Sequence, residues 1–316
     1  MEWKKLLSDK KLYDEPPEDK RLDDYPISVF ERDYNKIVSS AAFRRLQDKT
    51  QVFPLDISDF VRTRLTHSIE VSTIARQLGI MATSEKSEYT HDDIRDYKND
   101  IPSVLLCAGL LHDLGNPPFG HFGETVIGRW FQTNLDRIEY KKRPLRTWLS
   151  EQMARDLECF EGNAQTLRIL LKAKYNSEIN LSFAVINALA KYPTDSLSAS
   201  KKDFNIKNHK SGLFFSEQKI FREIANTTGA VQESGELVRH PLTFLLEAAD
   251  DIAYATADLE DAFKKNLFTL DTFIQFWKTG YNEQLAGQKG KSDAMPHFIA
   301  QQSILRLKKL RDELSD

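Results

Sequence analysis

The 316-residue chain has little cysteine: Cys107 and Cys159 are its only two, and neither belongs to a Cys-x-x-Cys pair. A disulfide framework or a zinc ribbon needs several cysteines at short, regular spacings. We therefore exclude both as a source of stability. Chains without a disulfide framework are typical of reducing compartments, so we expect this protein to be cytoplasmic.

Long apolar runs are also missing. The longest strongly apolar run, Val104 to Leu111, is far shorter than the roughly 20 residues that a membrane-spanning helix requires. The N-terminal stretch MEWKKLLSDKKLYDEPPEDK lacks the apolar core of a secretory signal. The sequence therefore predicts no membrane association and no secretory leader.

Neither charge sign dominates the composition. Charged residues make up 29% of the chain, and the formal net charge is −3. Nucleic-acid-binding domains usually carry an excess of Lys and Arg, so the composition gives no overall sign of such binding, although a local basic patch stays open. Hydrophobic residues make up 41%, which is enough to build a core.

Strand signals are absent as well. We find neither a fixed-period repeat nor a β-hairpin signature, whereas apolar residues recur at helical spacing along most of the chain. The predicted fold class is therefore all-α, with the helices forming one globule. The predicted helices cover residues 28–47, 62–83, 101–113, 124–135, 160–173, 179–192, 216–229, 240–265, 268–281 and 297–316.

The domain organisation follows from the same pattern. Residues 1–26 are charged and contain three prolines, so we interpret them as an N-terminal arm. No linker divides the rest of the chain, and residues 27–316 are predicted to form one domain.

Polar residues occur where apolar ones are expected. The segment LLHDLGNPPFGHFGE (110–124) ends a buried helix with His112 and Asp113, and LLEAADDIAY (245–254) places Asp250 and Asp251 among apolar neighbours. A buried carboxylate is costly unless it is paired or binds a metal. Adjacent helical residues point about 100° apart, so at most one of the two aspartates faces a given site.

These groups suggest a metal site. With His67 from the predicted helix 62–83, they form a mixed set of nitrogen and oxygen ligands that suits Mn²⁺, Mg²⁺, Fe²⁺ or Ni²⁺, with positions left for water and phosphate oxygens. His112 and Asp113 can reach one ion only where their helix ends, and the following Gly-Asn-Pro-Pro turn marks such an end. Taken singly, a histidine such as His67 is more often a satisfied core or surface residue. The aspartate pair, taken singly, could be one buried salt bridge and one exposed charge.

The full pattern resembles the HD-domain phosphohydrolases, and within them the bacterial branch of the dGTPase-like deoxynucleotide triphosphohydrolases. The HD signature, H…HD…D, is matched by His67, His112–Asp113 and Asp250. The closer resemblance rests on five blocks in the same order, which cover most of residues 30–265. They are FRRLQDKTQVFPL (43–55), RTRLTHSIEV (62–71), LLHDLGNPPFGHFGE (110–124), FEGNAQ (160–165) and PLTFLLEAADDIAYATADLEDA (241–262).

The resemblance implies an HD-domain helical globule and a role for each matched residue. The metal ligands would be His67, His112, Asp113 and Asp250. Members of the family hydrolyse a dNTP at the α-phosphorus to a deoxynucleoside and intact triphosphate. His121 matches the histidine that protonates the leaving 5′ oxygen, a task suited to the ordinary pKa of an imidazole. Glu124 matches the acid that orients this histidine.

Several further residues match substrate contacts. Arg64 matches a phosphate-binding arginine and lies one helical turn before His67 on the same face. Arg44 and Lys49 are further candidates for the triphosphate, with a solvated surface charge as the alternative for each. Tyr254 and Asp258 match the family's sugar contacts and lie on the same helix face as Asp250. Gln51 and Val52 match a segment that lines the same pocket. Tyr254 could equally be a core residue.

The resemblance also implies binding partners for this protein and a chain shorter than is usual in the family. Family members form homo-oligomers, and some respond to single-stranded DNA or to nucleotide effectors. Relatives continue beyond the position of residue 316, so we expect the family's C-terminal part to be lacking or truncated here. The favoured substrate is dGTP. Two alternatives stay open: another HD phosphohydrolase, acting on a nucleoside monophosphate or an alarmone, and a regulatory protein that responds to single-stranded DNA and has weak catalysis.

Overall fold

Helices dominate the chain, and the predicted all-α class is confirmed. The computed structural model describes residues 2–13, 27–54, 60–85, 92–172 and 179–287. Within these ranges the helices are α1 (Trp3–Leu6), α2 (Val29–Ser39), α3 (Ala41–Arg44), α4 (Arg64–Ala82), α5 (Asp92–Arg95), α6 (Asp100–Leu111), α7 (Gly120–Asn134), α8 (Glu151–Glu158), α9 (Gly162–Leu171), α10 (Phe183–Leu189), α11 (Gln218–Thr228), α12 (Pro241–Lys264) and α13 (Leu270–Gly287). Single 3-10 turns occupy Arg45–Asp48, Leu145–Trp148 and Ile206–Asn208. The helix predicted over 297–316 lies outside the described residues.

One predicted helix is divided in two. The periodicity over 28–47 continues across Ser40, but this residue is extended and ends α2. Its hydroxyl then accepts a hydrogen bond from the backbone N–H of Phe43 at 3.2 Å and so caps α3. Serine favours such caps because its side chain replaces a missing helical acceptor.

A short β-hairpin corrects the prediction that the chain has none. Strands β1 (Glu139–Tyr140) and β2 (Arg143–Pro144) pair antiparallel across a two-residue turn. Lys141 and Lys142 form the turn with φ of 48° and 61°. Such turns normally carry Asn or Gly, so this one has no recognisable sequence signature. The Trp148 ring contacts the Tyr140 ring edge-on and supports the hairpin.

The packing of α4 against α6 brings the two histidines of the HD signature together. A Cβ on Gly109 of α6 would lie 2.4 Å from the Cα of Ser72, and one on Gly79 of α4 would lie 2.8 Å from the side chain of Leu105. These two close approaches show that the helices run antiparallel with their backbones nearly touching. The start of α4, with His67, therefore meets the end of α6.

The start of α12 is anchored on the end of α10. Thr243 donates a hydrogen bond from its hydroxyl to the carbonyl oxygen of Ala188 at 2.9 Å. Arg239, just before α12, donates to the carbonyl oxygen of Lys191 and also pairs with Glu247. These contacts fix α12 so that Asp250 lies beside Lys191 at the junction of α4 and α6.

The described part of the predicted N-terminal arm is folded onto this helical core. Leu6 of α1 is buried, and its carbonyl oxygen lies 3.1 Å from His240 Nε2. Lys11 forms a β-bridge with Ser182 and an ion pair with the buried Asp33 at 3.3 Å. The rest of the arm, residues 14–26, lies outside the described residues.

By its internal contacts the chain divides into two units, Met1–Ala255 and Thr256–Asp316. The first contains the buried apolar core, centred on α6, where residues such as Val104, Leu105 and Leu111 are fully buried. In the second, Phe268 contacts both Phe263 and Phe273, with ring centroids 5.9 and 5.7 Å apart.

A segment able to cross a bilayer is not found: across the described ranges, every helix is either too short or too polar for that role.

Candidate active site

Four side chains from three helices converge at the end of α6. His67 Nε2 lies 3.2 Å from Asp250 Oδ1, and His112 Nε2 lies 3.5 Å from the same oxygen. The Oδ2 atom of Asp113 lies 3.6 Å from His112 Nε2. Both imidazoles are buried, and their ring centroids are 5.3 Å apart. The ligand atoms of His67, His112 and Asp113 all lie within 4.8 Å of one another, so the cluster could hold a metal ion.

The hydrogen bonds of His112 fit a metal ligand. Its Nδ1 lies 2.8 Å from the carbonyl oxygen of Gly109, which can only accept, so Nδ1 carries a proton. In the neutral ring the lone pair is then on Nε2, which is buried and has no hydrogen-bond partner within the described residues. This lone pair faces two carboxylates, so positive charge is needed between them. A divalent ion bound to Nε2 would supply it.

Both carboxylates of the cluster favour the ionised form. Burial by itself would raise the pKa of Asp250, but the positive charges of His112 and Lys191 and the hydrogen bond from His67 outweigh burial and hold this pKa well below its usual range. Burial is likewise outweighed at Asp113, whose pKa is lowered by His112 and Arg64. Two adjacent carboxylates that stay ionised are suited to bind a cation.

His121 and Glu124 form a hydrogen-bonded pair on the first turn of α7. His121 Nδ1 lies 2.6 Å from Glu124 Oε2, and Glu124 Oε1 accepts the backbone N–H of Gly162 at 2.8 Å. The hydrogen bond to Glu124 raises the pKa of His121. Burial opposes ionisation of Glu124, but the bonds from His121 and Gly162 outweigh it and lower its pKa. The imidazole therefore favours its protonated form, while most of its side chain faces solvent.

The turn between the cluster and this pair requires a residue without a side chain at Gly162. Asn116 donates from Nδ2 to Asp113 Oδ1 at 2.6 Å and so orients one member of the cluster. A Cβ on Gly162 would lie 2.0 Å from Asn116 Oδ1 and 2.7 Å from Glu124 Oε1. The absence of a side chain at this one position thus lets Asn116 and Glu124 both reach their partners.

The cluster and His121 line one cavity of about 470 Å³, whereas Glu124 contacts His121 from outside the cavity wall. Of the residues predicted from the sequence, this cavity is lined by Gln51, Arg64, His67, His112, Asp113, His121, Asp250 and Tyr254. Arg64 is buried, and its guanidinium hydrogen-bonds to Asp113 Oδ2. Cavities of this size accommodate small-molecule ligands.

The other predicted substrate contacts are placed differently. Within the described part of the chain, Arg44, Lys49 and Val52 do not line the cavity. Arg44 is exposed and donates to the carbonyl oxygen of Ser39. The Lys49 ammonium donates to the carbonyl oxygen of Asn116 at 2.7 Å, which supports the turn after α6. Asp258 belongs to the unit Thr256–Asp316.

The cavity also contains cationic and aromatic residues that the sequence reasoning missed. Lys191 Nζ lies 2.9 Å from Asp250 Oδ2, and Lys210 Nζ lies 3.2 Å from Glu161 Oε1. Tyr192, Phe119 and Phe122 complete the wall, with Asn163 of the FEGNAQ block. The lysines follow α10 or lie in the loop before α11, where no spacing distinguishes them from surface lysines.

Comparisons with known proteins agree with this geometry. Residues 64–169, which include His67, His112 and Asp113, match the HD domain family model. A Listeria innocua protein named deoxyguanosinetriphosphate triphosphohydrolase-like is 49% identical over 87% of this chain and 58% of its own length. A Synechocystis protein with the same name is 39% identical, over 83% of this chain and 60% of its own length.

A Serratia proteamaculans protein named deoxyguanosinetriphosphate triphosphohydrolase is 34% identical over 91% of this chain and 60% of its own length. The chain thus spans less than two thirds of the length of these curated relatives. Residues 64–169 are thus similar to the HD domain, and most of the chain is similar to part of the proteins named deoxyguanosinetriphosphate triphosphohydrolase-like.

Proposed function

We propose that this protein hydrolyses a deoxynucleoside triphosphate, with dGTP favoured, at the α-phosphorus and releases a deoxynucleoside and inorganic triphosphate. The observation that carries the proposal is that one cavity is lined by the His67–His112–Asp113–Asp250 cluster, by two lysines and by His121, which is hydrogen-bonded to Glu124. The names of the relatives support the same substrate class.

His67, His112, Asp113 and Asp250 would together hold a divalent metal ion, for which Mn²⁺, Mg²⁺, Fe²⁺ and Ni²⁺ are the candidates. When bound, such an ion supplies Lewis-acid polarisation of a phosphoryl oxygen and a water of lowered pKa. The protein's part is to fix the ligand positions. The Gly109 carbonyl orients His112, and the Asn116 amide orients Asp113.

Cationic side chains of the cavity would receive the triphosphate, which carries a charge of about −4. Arg64, Lys191 and Lys210 each already face a carboxylate, namely Asp113, Asp250 and Glu161. Phosphate oxygens offer the same charge-assisted hydrogen bonds, so these cations can contact the substrate by small side-chain movements.

His121 would donate the proton that the leaving 5′ oxygen of the sugar requires. Its Nδ1 is occupied by Glu124, so Nε2 is the atom available to the substrate. The raised pKa favours the protonated ring, which is the state that a general acid needs. Because Glu124 is itself held by the Gly162 N–H, the ring has a defined orientation.

For the sugar and base, Tyr254 and Gln51 lie on the cavity wall, and Tyr254 is half exposed to it. We assign Tyr254 to the deoxyribose, where a ring packed against C2′ leaves no room for a hydroxyl. Asp258 stays a predicted sugar contact, and Val52, Arg44 and Lys49 stay predictions whose positions outside the cavity wall argue for supporting roles.

Product analysis tests the proposal. The protein is incubated with each of the four dNTPs and with Mn²⁺ or Mg²⁺, and the products are separated by anion-exchange chromatography. We expect triphosphate and deoxynucleoside in equal amounts, fastest with dGTP, and none with the His112→Ala variant. Orthophosphate or pyrophosphate without triphosphate would contradict the proposal.

The remaining expectations are part of this proposal. We assign the reaction to the cytoplasm, where the free thiols of Cys107 and Cys159 stay reduced. We expect a homo-oligomer, and activation by single-stranded DNA or by a nucleotide effector. Light scattering and turnover assays with and without an oligonucleotide test these points.

A further inference from the structure

A second cavity, of about 740 Å³, adjoins the candidate active site. It lies between α7, α8 and the loop 196–211, and we call it the basic groove. His121 and Lys210 line both cavities, so the two cavities adjoin at these residues. The groove is thus a second space beside the proposed reaction site.

The floor of the groove is formed where α7 and α8 come closest. A Cβ on Gly128 would lie 2.6 Å from the carbonyl oxygen of Glu158, so glycine permits this approach. Gln132, one turn further along α7, donates to the same carbonyl at 3.0 Å. Glu124, Gly128 and Gln132 recur every four residues, so a single face of α7 runs from the proposed general acid along the groove.

The acidic residues of the groove are all engaged. Glu124 is paired with His121, Glu161 with Lys210, and Glu158 with Arg146. Their negative charges are therefore largely compensated.

Three cations of the groove have no such partner. Arg129, Arg155 and Lys201 are exposed, and their side-chain cations form no hydrogen bond or ion pair with any residue of the described ranges. The groove consequently has an excess of positive charge, while the chain as a whole has a formal net charge of −3. Such a local excess attracts anions.

We propose that the basic groove binds an oligophosphate anion and serves as the exit site for the inorganic triphosphate of the proposed reaction. The proposal rests on the function proposed above. Lys210 faces both cavities, so an anion that leaves the cluster can exchange one cationic contact for the next. Three free cations offer several charge-assisted hydrogen bonds to a compact anion with many oxygens.

Calorimetric titration with inorganic triphosphate tests the proposal on the full chain. EDTA is included so that no metal–triphosphate complex contributes. We expect wild type to show two binding events, one in the active-site cavity and one in the groove. In the triple variant Arg129→Ala/Arg155→Ala/Lys201→Ala, the affinity of the groove for triphosphate should fall about tenfold or more. A tenfold loss of affinity corresponds to about 1.4 kcal/mol of binding free energy. Unchanged binding in this variant would overturn the proposal.

Two variants supply the controls. Arg137→Ala/Lys202→Ala removes two exposed cations near the groove that do not line it, and should bind triphosphate as wild type does. Lys191→Ala should weaken the binding of triphosphate in the active-site cavity and leave its binding in the groove unchanged. Loss of both events in Arg137→Ala/Lys202→Ala would mean that general charge, and no defined site, attracts the anion.

Further measurements distinguish loss of the groove site from misfolding of the variant and from failure of the proposed function. If the triple variant is unfolded by circular dichroism, the single variant Arg155→Glu is titrated instead, with the same expected weakening. Replacing triphosphate by dGTP in EDTA tests the source of the anion: a groove event with dGTP and none with triphosphate would overturn the exit-site assignment. Because no turnover is measured, failure of the dNTP product assay leaves the groove result separately interpretable.

Discussion

Replacing Gly162 by alanine should disturb both halves of the candidate site at once. The added Cβ would lie 2.0 Å from Asn116 Oδ1 and 2.7 Å from Glu124 Oε1, whereas ordinary contacts begin at 3.4 Å. The Asn116 amide must therefore move by more than about 1 Å, and its 2.6 Å hydrogen bond to Asp113 is lost. A hydrogen bond to a charged group contributes about 1.5–3 kcal/mol.

The expected consequences can be separated by assay. Loss of an orienting partner typically weakens metal binding by about 10–100-fold, so we expect that loss in a Mn²⁺ titration of Gly162→Ala. Displacement of Glu124 misorients His121, and a displacement of about 1 Å costs about 100-fold in turnover. Both effects should appear while circular dichroism still shows a folded helical protein.

Gly235→Ala is the control for a general loss of stability. Gly235 has a φ of +82°, and a Cβ added there would meet no atom within 4 Å, so its replacement costs about 1–2 kcal/mol in backbone strain alone. This variant should melt at a lower temperature and keep wild-type Mn²⁺ affinity. The reasoning is refuted if Gly162→Ala binds Mn²⁺ and turns over dGTP within about twofold of wild type, a difference of roughly 0.4 kcal/mol.

Four further predictions follow from the same contacts. His112→Ala should abolish Mn²⁺ binding measured by calorimetry, because it removes the imidazole whose Nε2 faces both carboxylates. His121→Ala should retain Mn²⁺ and lose about 10²–10⁴-fold in kcat; full activity would disprove its role as proton donor. Glu124→Gln removes the bond that raises the pKa of His121, so the alkaline decline of the pH–rate profile should move to lower pH, since a general acid acts only while protonated. Leu111→Ala, at a fully buried position, should lower the free energy of unfolding in urea by about 2–5 kcal/mol.

The elements of the fold were predictable where helical periodicity and packing agree. The run 101–113 is apolar nearly all round, and nine of the twelve residues of α6 are accordingly buried. The break at Ser40 was missed because the apolar spacing continues across it, while the capping hydrogen bond decides the boundary. The turn at Lys141 and Lys142 was missed because neither residue favours a left-handed backbone.

The candidate site was predictable only in part. His67, His112, Asp113 and Asp250 stand out because imidazoles and carboxylates are unusual in apolar helices, and the folded helices bring all four together. Lys191 has no such signal, because a lysine after a helix is usually a surface residue.

Charge alone gave a poor guide to which basic residues face the cavity. Lys49 and Arg44 stay predicted phosphate contacts, although neither lines the cavity and each donates to a backbone carbonyl. The role of Gly162 was not predictable from the sequence either, because only the folded backbone reveals which atoms a side chain there would displace.

The central claim is that water attacks the α-phosphorus and that the bond from phosphorus to the 5′ oxygen breaks. Turnover of dGTP in ¹⁸O-labelled water, followed by ³¹P NMR of the phosphate product and mass spectrometry of the deoxyguanosine, tests it most directly. We predict that the label appears in a terminal phosphate of inorganic triphosphate and is absent from the deoxyguanosine. Label in orthophosphate or pyrophosphate, or in the 5′ oxygen of the nucleoside, would contradict it.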